Sequence, residues 1–218
     1  VETVHIIAVG AFGMEVARRL EAKMQDVVIT QADENGIYYP ASWPHARLHI
    51  VASWRPVSSL GRLMDKLSGA WKTPWVPIIM DHPALTIGPV VVSGQEGCYT
   101  CFSKRQIQHA PYGKYILESQ DIYVRDFRLG PQGFLQAHAG MAAHLFLDLE
   151  RRMREDMKNE AGTVYEIHVI RGTTRKGKVT GFHGCPHCGL QREETTRSYD
   201  VLLDKYESIF TQGEVPSR

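Results

Sequence analysis

The chain has four cysteines among its 218 residues, at Cys98, Cys101, Cys185 and Cys188. They fall into two C-x-x-C pairs with 83 residues between Cys101 and Cys185. A C-x-x-C places two thiolates on one turn, and two such turns complete a tetrahedral tetrathiolate site, for which zinc is the default ion. Gly97, Gly184 and Gly189 flank the pairs; glycine lets the backbone turn tightly and aim N–H groups at sulfur. Three other readings compete. Two redox pairs would want a thioredoxin-like strand–helix setting, which neither pair has. Two i,i+3 disulfides would close trivial loops and gain little. Four unrelated buried thiols would not fall in matched pairs. A closed tetrathiolate has no open position, so the expected zinc is structural. Knuckles of a nucleic-acid-binding zinc ribbon lie about 15–20 residues apart, so here the ion should instead clip distant parts of one domain. His183 and His187 flank the second pair as alternative ligands that four cysteines make unnecessary.

A second candidate is Ala8-Val9-Gly10-Ala11-Phe12-Gly13, an A-x-G-x-x-G between an apolar strand and a helix. A helix N-terminus there can hold a phosphate, with Gly10 and Gly13 as cofactor-binding positions and Asp33 placed to contact a ribose. The bland reading is a plain βα turn, and Ala8 in place of the first glycine favours it. Asp81-His82 ends a strand at the edge where ligands bind open α/β sheets, or is a solvated turn before Pro83. Trp43, Trp54, Trp71 and Trp75 read as core and loop anchors or as an interaction patch. No G-x-S-x-G, P-loop or H-E-x-x-H occurs.

The elements that must position these groups follow from periodicity. Val4–Gly10, Asp26–Thr30, Leu48–Trp54 and Trp75–Met80 read as strands. Helical spacing runs through Val16, Ala17, Leu20 and Met24, and again through Leu60, Leu63, Met64 and Leu67. Alternating strand and helix predicts βαβ units and a mostly parallel sheet. Ile87–Val92 reads as a further strand, bent or at an edge because of Pro89. Residues 94–133 read as loop, followed by a long helix from about Gln136 to Lys158 that Gly162 stops. Val164–Ile170 and Lys178–His183 predict an antiparallel hairpin around a basic loop, Arg171 to Gly177. Ser198–Phe210 reads as a last helix or amphipathic strand. Two parts are expected: a degenerate Rossmann-like half at 1–93 and a zinc-bearing half of the same domain at 94–218.

Composition narrows the classes. A net charge of +1 from 25 basic and 24 acidic residues argues against nucleic-acid coating. No apolar run reaches the ~18 residues of a membrane span. No charged n-region and apolar h-region open the chain, so a cytoplasmic protein without a signal peptide is expected.

Four segments occur in order: Ile87-Gly88-Pro89; Gly97-Cys98-Tyr99-Thr100-Cys101-Phe102; Gly130-Pro131-Gln132-Gly133-Phe134-Leu135-Gln136-Ala137; and Cys185-Pro186-His187-Cys188-Gly189. This set resembles the C-terminal half of E1-like activating enzymes, the ThiF/MoeB superfamily. The resemblance implies a reduced Rossmann-like α/β fold, a mostly parallel sheet with a C-terminal antiparallel hairpin, one structural zinc on the four cysteines and a homodimer. Departures from the family pattern also matter. The glycine turn is degenerate, and residues 33–47 lack the family's Asn/Arg/Gln-bearing segment, which speaks against ATP chemistry. No cysteine lies between the pairs to form a thioester. Reduced proteins of this type resemble the "ocin-ThiF" subunits of thiazole/oxazole-modified peptide biosynthesis. That implies a non-catalytic partner that presents a ribosomal precursor peptide to an ATP-using YcaO-type cyclodehydratase. The winged helix-turn-helix that often grips the leader is not evident, since the chain opens on a Rossmann strand. The alternatives are an adenylating ThiF/MoeB-type activator of a small protein's C-terminus and a small dinucleotide-dependent oxidoreductase.

Overall fold

The computed structural model describes residues 2–32, 36–126 and 128–189. Four strands, β1 (Val4–Val9), β2 (Val27–Gln31), β3 (Leu48–Ser53) and β4 (Trp75–Asp81), pair in parallel in the order β2-β1-β3-β4. Every residue of β1 and β3 is buried. Their near-continuous apolar runs are what a parallel strand covered on both faces requires. The helix α1 (Gly10–Glu21) joins β1 to β2, and α2 (Ser58–Trp71) joins β3 to β4. Right-handed crossovers leading in opposite directions put these helices on opposite faces of the sheet. The crevice between the carboxyl ends of β1 and β3 is therefore the topological switch point.

Three antiparallel strands extend the sheet: β5 (Ala84–Ile87), β6 (Thr163–His168) and β7 (Thr173–Lys178), giving seven in the order β2-β1-β3-β4-β5-β6-β7. A mixed α/β sheet, parallel at its core and antiparallel toward the C-terminus, is the architecture that the sequence implied. A helical hairpin, α3 (Tyr99–His109) and α4 (Gly113–Arg125), packs beside α2, and the long helix α5 (Gln136–Glu155) lies on α1 and β5. The core under α5 contains Phe146, Leu149 and Met153, all nearly or fully buried. Buried Glu150 ties α5 to the start of β3 through Arg47, at 2.6 Å.

Several boundaries differ from the sequence reading. The strand expected at 87–92 is paired at Ala84–Ile87 instead, and beyond Gly88, at φ +99°, only Val91 bridges to Trp75. The loop expected across residues 94–133 contains two helices. None of α4's residues is fully buried. The long helix stops at Glu155, where Asp156 leaves helical geometry and caps a short α6 (Met157–Glu160). The basic loop at 171–177 is mostly β7, an exposed strand, and Lys178–His183 is not the second strand. The element expected at Ser198–Phe210 lies outside the described residues. No described helix is long and apolar enough to cross a membrane.

Candidate metal centre and the glycine turn

The two cysteine pairs meet. Cys98 Sγ lies 3.7 Å from Cys101 Sγ and 3.6 Å from Cys185 Sγ, and Cys101 Sγ lies 3.4 Å from Cys188 Sγ. All four sulfurs fall within 4.8 Å of one another, and all four residues are buried. A disulfide would need about 2.05 Å, so these are four free thiols. A regular tetrahedron with arms of ~2.3 Å, the zinc–thiolate length, has edges of about 3.8 Å. The observed spacings fit such an ion. Four thiolates this close repel one another strongly without a cation. The cluster's thiols also depart from ordinary acidity: Cys101 is pushed up to about 12, chiefly by its hydrogen bond with Cys188, while the same kind of bond from Cys101 pulls Cys188 down.

The first pair straddles the start of α3, because Cys98 is its N-cap. That helix end is held by a residue the sequence did not single out. Asp65 on α2 accepts from the backbone N–H of Tyr99 (3.2 Å) and Thr100 (2.8 Å), and from the Thr100 hydroxyl (2.7 Å). It also accepts from Trp75 Nε1 at 3.3 Å. Burial pushes Asp65 above the ordinary carboxylate range, and its bonds to Thr100 pull the other way. The buried face of α2 includes Ser58, Leu60, Gly61, Met64, Asp65 and Ser68, with the expected Leu63 and Leu67 partly buried against the core beside it. The available signal was an acid at the i+4 position of Gly61 on a face that must meet the core. The second pair is closed by Gly189, whose N–H donates to the Cys185 carbonyl at 2.8 Å. A Cβ at Gly189 would lie 2.4 Å from Cys185 N. His183 is exposed and His187 half-buried, and neither belongs to the cluster.

The glycine turn is a βα turn at the switch point, and its two glycines serve packing. Gly10 has φ +68°, and a Cβ there would lie 2.2 Å from Trp54 Cδ1. Trp54 follows β3 directly, is 4% exposed, and lays its indole on the turn. The far edge of the same ring meets Gly130, where a Cβ would lie 2.8 Å from Cζ3. Phe134 packs edge-on to Phe12 of α1 at 5.4 Å, so the glycine-rich segment before α5 roofs this side of the crevice. Gly13 lets α1 approach the sheet: a Cβ would stand 2.3 Å from the Ala52 carbonyl oxygen. Asp33 lies outside the described residues. On the other side of Trp54, Arg55 is 2% exposed. It donates to the carbonyl of Tyr123 at 3.1 Å and stacks 4.4 Å from that ring's centre. Arg55 did not stand out in the sequence, and Trp54 did so only as one of four tryptophans read as anchors or an interaction patch, because only the strand's end point reveals that they face the crevice.

Other candidates resolve into structure. Asp81 ends β4, and His82 Nε2 meets the Gly133 carbonyl at 2.7 Å, tying the turn to the roof segment. Trp75 is fully buried. Trp43 and Trp71, with His49, line a pocket of about 340 Å³ at the opposite end of the sheet. Below it the Nδ1 atoms of His5 and His49 are 3.0 Å apart, and His5 Nε2 meets Thr30 Oγ1 at 2.8 Å.

Neither a protein-family model nor a curated protein sequence matches the chain. Solved structures do match it in fold. The heterocyclase TruD is similar over 94% of this chain and 32% of its own, with a TM-score of 0.61 and 14% identity. A heterocyclase in complex with substrate and cofactor is similar over 91% of this chain and 27% of its own, with a TM-score of 0.61 and 13% identity. E. coli MccB with ATP is similar over 86% of this chain and 67% of its own, with a TM-score of 0.60 and 14% identity. The chain thus spans about a third or less of the heterocyclases. Its fold is the one it shares with MccB and with part of the TruD heterocyclase.

Proposed function

We propose that this chain is a cytoplasmic, homodimeric E1-like scaffold that forms neither adenylate nor thioester. In this reading it holds a ribosomal precursor peptide for a separate YcaO-type cyclodehydratase, which uses the ATP. The observation that carries the reading is the Trp54 indole seated on Gly10, with Gly130 against its far edge. A nucleotide phosphate at the N-terminus of α1 would need the space that this ring fills. The cysteines agree with it: all four in the sequence converge in one buried cluster, so no thiol remains to take an acyl group. A zinc held by Cys98, Cys101, Cys185 and Cys188 would supply structural cross-linking, with Asp65 orienting the first pair from α2. The fold shared with a heterocyclase supports a peptide-modifying setting for such a scaffold.

The test is ATP–pyrophosphate exchange by the purified chain, alone and with candidate peptides, beside a pull-down of a YcaO-type protein and its precursor. The expected result is background exchange together with capture of peptide and enzyme. Robust exchange by this chain alone would overturn the reading. It would instead establish the second one, an adenylating activator of a peptide or small-protein C-terminus, which the likeness to MccB with ATP favours. Light scattering that shows a monomer at all concentrations would remove the homodimer.

A further inference from the structure

We propose that the pocket between Trp43 and Trp71 binds one uncharged aromatic ring that carries a hydrogen-bonding group, a phenol or a neutral nitrogen heterocycle. The pocket has a volume of about 340 Å³ and is lined by Pro40, Trp43, Pro44, His49 and Trp71 among others. That is the lower end of the roughly 300–1,000 Å³ of small-ligand sites, which combine apolar and aromatic walls with few polar groups. Two indoles form the walls. Trp43, from the segment before β3, stands at 78° to Trp71, the last residue of α2, with ring centroids 6.4 Å apart. Perpendicular rings offer a face and an edge, the two contacts that an inserted aromatic ring prefers. The titratable lining is His45 and His49, with no Asp, Glu, Lys or Arg among the described residues. No fixed charge therefore selects an ion.

The polar group is His49. It is 1% exposed, yet no described residue hydrogen-bonds its Nε2. Its Nδ1 lies 3.0 Å from Nδ1 of fully buried His5, and His5 Nε2 lies 2.8 Å from Thr30 Oγ1. The two nitrogens of an imidazole point in divergent directions, so His49 Nε2 is turned away from His5, on a ring packed 5.4 Å from Trp71. A ring nitrogen in so buried a residue is costly to leave unbonded, and a ligand in the pocket would satisfy it. Burial holds both histidines down at about 4, so both are neutral at neutral pH. A neutral imidazole has one N–H and one bare nitrogen. One Nδ1 must then donate to the other, and that choice fixes the rest of the chain. If His5 donates, Thr30 donates to His5 Nε2, and His49 presents Nε2–H. If His49 donates, His5 Nε2–H donates to Thr30, and His49 presents a bare Nε2. Exchange between the two lets one atom meet either an acceptor or a donor on the ligand. The pocket lies at the other end of the sheet from the switch point and shares no residue with the scaffold reading, on which it does not depend.

Ligand-observed NMR titration of the full chain tests this at about pH 8, where phenols and pyridines are uncharged. The probes are p-cresol, 4-methylpyridine, toluene and tetramethylammonium. Saturable binding of p-cresol and of 4-methylpyridine is expected. Toluene should bind about tenfold more weakly, the loss of one hydrogen bond. A capped Gly-Tyr-Gly peptide separates the sources: tighter binding than p-cresol names a peptide side chain, and weaker binding names a free small molecule. Trp71→Ala should remove saturable binding and leave the fold intact, because Trp71 is 41% exposed at the end of α2. His49→Leu should bring p-cresol down to the affinity of toluene. If that buried substitution unfolds the chain, Trp71→Ala and the toluene comparison carry the test. Binding of p-cresol without 4-methylpyridine would overturn the tautomer exchange. No saturable binding by the wild type, equal affinity for toluene and p-cresol, unchanged binding in Trp71→Ala, or a preference for tetramethylammonium overturns the proposal.

Discussion

Replacing Asp65 tests whether the turn that carries Cys98 and Cys101 is held from α2. This carboxylate accepts four hydrogen bonds: from Trp75 Nε1 and Tyr99 N on one oxygen, and from Thr100 N and Thr100 Oγ1 on the other. The Thr100 pair is short, at 2.8 and 2.7 Å, and the Trp75 bond is long, at 3.3 Å. Asp65→Ala leaves three N–H donors with no side-chain acceptor in a site where Asp65 is 4% exposed. Each stranded donor costs about 1–3 kcal/mol, and breaking a buried charged contact as a unit costs about 3–5 kcal/mol. The long Trp75 bond and the desolvation of Asp65 itself argue for the lower end, about 3 kcal/mol. With roughly 2–4 °C lost per kcal/mol for a chain of this size, the melting temperature should fall by about 6–12 °C. Asp65→Asn should cost about half as much, because its amide oxygen can still serve Trp75 and Tyr99 while its NH2 opposes the Thr100 donors. The assays are urea unfolding and the rate at which a chromophoric chelator strips metal, which should rise in both variants as the first pair loosens. An Asp65→Ala protein within about 0.5 kcal/mol of wild type, the range of a neutral surface change, would refute this account of the turn, as would unchanged chelator kinetics.

Other outcomes follow from the same geometry. Cys98→Ser or Cys188→Ser should bind no zinc and be insoluble or melt far lower, since structural metal binding supplies folding free energy. Metal analysis with thermal unfolding decides this, and wild-type melting without bound metal would refute the site. Gly10→Ala should destabilise the chain by about 1–3 kcal/mol through overpacking, because its Cβ would fall 2.2 Å from Trp54 and its φ is positive; chemical denaturation reads it. Burial holds both His5 and His49 down at about 4, His49 adding to the effect on His5. In the unfolded chain they titrate near 6.5, so the unfolded state binds more protons between these values. Stability from this pair should therefore be complete above about pH 6.5 and decline as pH falls toward 4, by a few kcal/mol at most. A His49→Gln variant should flatten that decline, and an unchanged pH profile would contradict the neutral pair.

Part of the fold was legible because local chemistry repeats with a period. The parallel strands are apolar runs, and α1 and α5 carry clear apolar stripes, since each must bury one whole face. β7 is exposed along its length and had no such signal, so it read as loop. α4 has no fully buried residue, and the Gly, Pro and polar residues around it made it read as loop too. The two C-x-x-C pairs, by contrast, were readable from the sequence as one cluster of four cysteines, because thiol number and spacing are properties of the chain itself.

What tertiary structure alone decided is which groups share a space. The sequence carries the glycines at 10 and 13, but not that a tryptophan more than forty residues away lies on the first of them. It carries Asp65 within an ordinary amphipathic helix, but not the four donors that converge on it. Arg55 and Ser58 look like plain loop and helix-start residues until the end of β3 and the first turn of α2 bring them to one cleft. Short-range pattern determines which elements form, because helix and strand periods are local. Whether a glycine turn is open or a carboxylate is an anchor depends on close packing between residues far apart in the chain.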